Sequence, residues 1–155
     1  MKSSAVNVLD TSGIRNTLNK LDIETKAKWG SLTSQHMVEH LSSTMKYSNG
    51  KIKHKLYVPE KDLEKYRSFL FQDTAFPKFF KSPVFEKDLP RLNNETISEA
   101  VDELLHEIKV FKEHFSNRLE TKEMHPIFGE LNFNEWVIYH NKHFHHHFNQ
   151  FELIG

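Results

Sequence analysis

The chain has 155 residues, with 21 Lys plus Arg against 21 Asp plus Glu and a formal net charge of zero. That balance speaks against a partner gripped through a strong basic field, so nucleic acid is not expected. The absence of cysteine excludes a disulfide framework, a thiolate zinc site and a cysteine nucleophile together. Hydrophobic residues at 37% and charged residues at 27% suit one folded domain over residues 1–155. No stretch approaches the roughly 20 apolar residues of a membrane span, and MKSSAVNVLD lacks the apolar run of a signal peptide. A cytoplasmic protein with no membrane partner is the expectation.

In chain order, a short helix is predicted from about Thr11 to Leu21, capped by Asp10 or Thr11. A second helix starts after Thr33 and ends near Asn49-Gly50. A third begins at Pro59, with Glu60 and Asp62 suited to its positive end, and stops before Pro77. Residues 73–94 read as a long irregular connection with three prolines and four phenylalanines. Thr96-Ile-Ser-Glu99 is a capping-box pattern, and Ile97, Val101, Leu104, Ile108, Phe111 and Phe115 form one apolar helical stripe. His125-Pro126 and Gly129 mark a loop, after which Asn132-Phe-Asn-Glu135 caps a last helix running to about Leu153. Lys55–Val58 is the best strand signal and it is short. The reading is all-α: a four-helix bundle with a short additional N-terminal helix.

The 13 Phe and 11 His are unusual, and five of the histidines lie between positions 140 and 147. At 100° per residue, His140, His143 and His147 fall within about 60° of one another on the aromatic side of the last helix. His145 points away and His146 toward the other flank. His143 and His147 are one turn apart, a spacing that lets two imidazoles reach one ion. A third ligand must come from another helix. His40, beside Met37, Leu41 and Thr44, is the candidate, and His36 its substitute one turn earlier. The expected metal site is therefore His40, His143 and His147, holding a divalent ion such as zinc, nickel or iron; whether His36, His140 or His125 join it is left open by the sequence. Affinity is expected to fall as pH drops through about 6.5, the ordinary imidazole value. Glu103-Leu-Leu-His106 matches a di-iron motif by letter, but both residues lie off the apolar stripe and no second copy exists.

The trio resembles that of the DinB/YfiT-like superfamily of metal-dependent four-helix bundles. There, one histidine on an early helix joins a His-x-x-x-His pair on the last helix, often with Gln three residues on, as Gln150 follows His147 here. A closer resemblance is to an uncharacterised branch of that superfamily. Its marks are Trp29-Gly30-x-Leu32-Thr33, Met37-x-x-His40-Leu41, His125-Pro126-x-Phe128-Gly129-x-Leu131, Trp136, and Lys142-His143-x-x-His146-His147-x-x-Gln150-Phe151. Two departures stand out: the superfamily's His-Arg-Gly-Gln ending reads His147-Phe-Asn-Gln150, and His36 stands where the branch commonly has Gln. The resemblance implies a thiol-dependent transferase or an isomerase, acting with bacillithiol, mycothiol or glutathione.

Three protein nitrogens would leave a tetrahedral ion one open position, as in catalytic zinc sites. The expected function is a metal-dependent transferase or hydrolase acting on a small-molecule substrate, with any thiol arriving from outside the chain. A non-catalytic metal- or ligand-binding bundle, or a dimeric interaction module, is the alternative. Gln150, Glu39 and His146 are candidates for orienting the ligands. The Phe76–Phe85 segment is expected to line a substrate pocket, cover one end of the bundle or pack in a homodimer. Trp29 and Trp136 are expected as core anchors.

Overall fold

A computed structural model describes residues 6–78 and 89–154. It is mostly helical. Helices α1 (Thr11–Leu18), α2 (Ser34–Ser48), α3 (Leu63–Phe71), α4 (Ile97–Phe115) and α5 (Phe133–Gln150) follow in order, with strands β1 (Glu123–His125) and β2 (Gly129–Leu131) between α4 and α5. No helix among the described residues is long and apolar enough to cross a membrane.

The predicted helix starts are met by side-chain caps. Asp10 Oδ1 accepts from Gly13 N–H at 3.1 Å, and Thr33 Oγ1 from His36 N–H at 3.1 Å. At α5 the capping box is complete: Asn132 Oδ1 accepts from Glu135 N–H and Glu135 Oε1 from Asn132 N–H. At α4 only half of it forms. Thr96 Oγ1 accepts from Glu99 N–H, but the Glu99 carboxylate reaches back to Glu95 N–H instead of Thr96. Helix α2 is followed by its C-cap Asn49, and Gly50 comes next with φ +85°. The third helix departs from its predicted start, because Pro59 leads into a 3-10 turn over Glu60–Asp62 before α3 begins.

The α4 stripe is core: Leu104, Ile108, Phe111 and Phe115 are fully buried. Its main neighbour is α2, whose Met37, Val38, Leu41 and Met45 join the same cluster. Helix α5 meets the stripe near one end, where Phe133 and His140 pack on Phe111 with ring centroids 5.3 and 5.2 Å apart. Glu107, also buried, accepts from Asn49 Nδ2 and Lys51 Nζ, both at 2.8 Å, tying α4 to the end of α2.

The two strands are absent from the all-α expectation. They pair antiparallel in the register Glu123↔Leu131, Met124↔Glu130, His125↔Gly129. His125 closes the turn, its Nδ1 accepting from Ile127 N–H at 3.0 Å and Phe128 N–H at 3.2 Å. Gly129 has φ +80°, and an added Cβ would sit 3.0 Å from Leu63 Cδ1, so backbone freedom and space both call for glycine. Lys55–Val58 is no strand. Its alternating exposure is real, but its one backbone tie to the hairpin is Tyr57 N–H to Pro126 O at 2.8 Å, and one bond makes no ladder.

Of the aromatic connection, Phe76 is described and is buried, stacked on Phe69 and Phe128. Phe79, Phe80 and Phe85 lie outside the described residues. Lys142 is buried, and its ammonium donates to the carbonyls of Phe69, Leu70 and Gln72 at 3.2, 2.9 and 2.7 Å. It thereby supplies donors to the unsatisfied end of α3.

Candidate metal centre

Helix α2 carries His40 and helix α5 carries His143 and His147 one turn apart, and the fold brings the three rings together. His143 Nε2 lies 3.1 Å from His40 Nε2 and 3.1 Å from His147 Nε2. All three donor atoms lie within 4.8 Å of one another. The rings meet edge-on, with centroids 4.7–4.9 Å apart and planes 75–79° to one another. With bonds of about 2.05 Å, a tetrahedral ion would separate its nitrogens by about 3.3 Å and a right-angled facial set by about 2.9 Å. The two 3.1 Å separations fall between these geometries.

The hydrogen bonds behind the rings decide which nitrogens are bare. Trp29 O is a backbone carbonyl and can only accept, so Gln150 Nε2 donates to it at 2.9 Å. This turns Gln150 Oε1 to His147, where it accepts from Nδ1–H at 2.7 Å. A neutral His147 then carries no proton on Nε2. The same logic runs on α2. Thr44 Oγ1 donates to Leu41 O at 2.9 Å, leaving its oxygen to accept from His143 Nδ1–H across a longer 3.4 Å. His143 Nε2 is then also bare. Two lone pairs thus face each other at 3.1 Å, an arrangement that a cation between them would turn from repulsive to attractive. This orientation by outer hydrogen bonds is the usual support of metal-binding imidazoles.

Burial keeps the trio neutral. It drives the His40 imidazole down to about 4, with the adjacent His146 adding to the effect. His143 is held well below its ordinary value by burial first, then by His147, His40, His146 and His140. His147 is likewise lowered by burial and by His40 and His146, against the pull of the Gln150 bond. The expectation that protons compete near 6.5 is therefore revised, since in the folded chain His40 takes its proton only near pH 4.

No protein-family model, curated protein or solved structure matches the chain.

The other predicted donors stay outside the group. His36 spends both ring nitrogens on Thr33 Oγ1 at 2.7 Å and Pro90 O at 2.8 Å. His140 is fully buried and faces inward, but its Nε2 bonds Ser48 Oγ at 2.8 Å. His125 is held by the hairpin turn. His146 packs edge-on against His147 at 4.9 Å, and its ring is hydrogen-bonded to the Phe76 backbone. Glu39, expected as an orienting group, is buried but serves the chain after the aromatic connection instead. Its carboxylate accepts from Asn93 N–H at 2.7 Å and Asn94 N–H at 3.1 Å. Glu103 pairs with Lys46, and His106 is exposed, as their place off the stripe implied.

Of the two tryptophans, Trp136 is a fully buried anchor, whereas Trp29 is partly exposed and stands beside the site, edge-on to His146 at 5.7 Å. Sequence reasoning missed Thr44 as an orienting group. Its signal was there: it follows His40 by one turn and shares its inward face.

Proposed function

We propose that this chain is a metal-dependent enzyme of transferase or hydrolase type, built as a DinB-like four-helix bundle around His40, His143 and His147. The observation that carries the reading is the convergence of three Nε2 atoms from two helices, two of them stripped of protons by hydrogen bonds that end on backbone carbonyls. The group contains three donors among the described residues, and three nitrogens leave an open coordination position of the catalytic kind. The motif resemblance from Trp29 to Phe151 supports the same reading.

An ion held there would acidify a bound water or keep a bound thiol as thiolate. The chain's own contribution is orientation and exclusion of solvent. Gln150 and Thr44 hold two imidazoles with their lone pairs inward. Tyr139 stacks on His143 at 5.3 Å, and Trp29 and Phe76 flank His146 beside the trio. With no cysteine in the chain, a thiol would come as substrate or cosubstrate.

The test is metal loading followed by ligand challenge. Cobalt should bind at about one ion per chain, by the three-ligand argument. Its visible spectrum should then shift on adding azide or a small thiol. Absence of metal uptake by the untagged protein refutes the site. Uptake without any spectral shift refutes the open position and leaves a metal-binding bundle.

A further inference from the structure

A second group of imidazoles lies behind the metal centre. His54 Nε2, His125 Nε2 and His140 Nδ1 are buried atoms without a hydrogen-bond partner. The hairpin and α5 bring two of them together. The His125 ring lies 4.3 Å from Tyr139 and 5.4 Å from Trp136, and the His140 ring 5.3 Å from each of the same two side chains. His54 lies on the segment whose Tyr57 is tied to Pro126 in the hairpin turn. Its own ring packs edge-on against Tyr47 at 4.2 Å.

Proton positions follow from fixed partners. His125 Nδ1 accepts from two backbone N–H groups, so a neutral ring has its proton on Nε2 and leaves a buried donor unused. Ser48 Oγ donates to Met45 O at 2.9 Å, so its oxygen accepts from His140 Nε2–H. His140 Nδ1 is then a buried acceptor unused. A donor and an acceptor left bare against the same two rings are complementary to one small molecule, or a short chain of them, with both functions. Buried polar groups are rarely left without a hydrogen-bond partner, since desolvation without one is costly.

We propose that His125 and His140 line a buried site for ordered water between the hairpin and α5. The site shares the Tyr139 ring with the metal centre, because the same ring stacks on His143. Water suits it better than an ion. Burial holds His140 down to about 3 and His125 well below its usual value, so the rings offer no positive charge to an anion. They also do not gather closely enough to join a metal-ligating group.

The test is imidazole nitrogen NMR on the metal-free, isotope-labelled full chain, combined with water-selective Overhauser transfer. The expected result is protonated Nε2 on both His125 and His140, with water cross-peaks to both rings, and loss of the His125 cross-peak in His140→Phe. Two outcomes overturn the proposal. One is no water contact at either ring, with a strongly upfield His125 Nε2 proton then placing that N–H against the Tyr139 ring face. The other is a His140 ring protonated on Nδ1. Neither depends on whether the trio binds metal.

Discussion

Replacing Gln150 with leucine removes one amide and leaves all three proposed ligands in place. Two bonds go: the 2.7 Å bond from His147 Nδ1–H and the 2.9 Å bond to Trp29 O. Without the first, His147 can carry its proton on either nitrogen, and the bare Nε2 is no longer enforced. Without the second, the loop at Trp29 loses its tie to the end of α5. Loss of such an outer partner weakens metal binding by roughly 10- to 100-fold, or about 1.4–2.7 kcal/mol. Thr44→Val deletes the corresponding bond to His143, but that contact is 3.4 Å long, so its effect should lie at or below the lower end of the range. His36→Ala should change nothing, because His36 is committed to Thr33 and Pro90. Competition titration against a chromophoric chelator at neutral pH reads all three, with circular dichroism to verify folding. The predicted order is Gln150→Leu weakest in affinity, then Thr44→Val, then His36→Ala equal to the parent chain. An unchanged affinity in folded Gln150→Leu refutes the reasoning that a fixed proton position prepares the site.

Stability should depend on pH through the depressed histidines. An unfolded chain protonates them near 6.5, while the folded chain resists until about 4 at His40 and about 3 at His140. The unfolded state therefore binds more protons between these values, and stability is lost as pH falls through the window, by up to about 1.4 kcal/mol per pH unit for each such group. Urea midpoints of metal-free protein that stay flat from pH 7 down to 4.5 would contradict this. Leu104→Ala, at a fully buried place on α4, should cost about 2–5 kcal/mol, read as a lowered urea midpoint with unchanged slope. Lys142→Met removes three bonds to the end of α3, each of the charge-assisted kind worth about 1.5–3 kcal/mol at most. Hydrogen exchange should then speed up at residues 69–72 before it does in α4, and uniform acceleration across the chain would argue against a local capping role.

The helices were legible because their signals are local. Asp10, Thr33, Thr96 and Asn132 mark helix starts by their own side chains, and the α4 stripe declares its buried face by spacing alone. The hairpin was not legible, since three residues per strand are too few to show a period of two, and Pro126 and Gly129 look the same in a loop. The spacing of His143 and His147 pointed to a site, and the fold brought His40 to them. What could not be read was the division among the remaining histidines. His140 shares the inward arc, yet it is drawn to Ser48 at the far end of α2, a contact made across 92 residues of chain. The role of Trp29 was equally hidden, because its contribution is a carbonyl, which every residue possesses.

The histidines of the trio are separated by 103 positions between His40 and His143. During synthesis at about 5–20 residues per second, helix α2 would emerge roughly 5–20 s before its partner histidines exist. The two nitrogens that His40 meets lie on α5, so an ion held by all three histidines could be captured only once α5 has packed against α2. Metal acquisition here would be a late event in biogenesis, and the helices must find one another first by their apolar faces. A newly made chain starved of metal would then be expected to reach its fold and wait, rather than linger unfolded as a small zinc finger does.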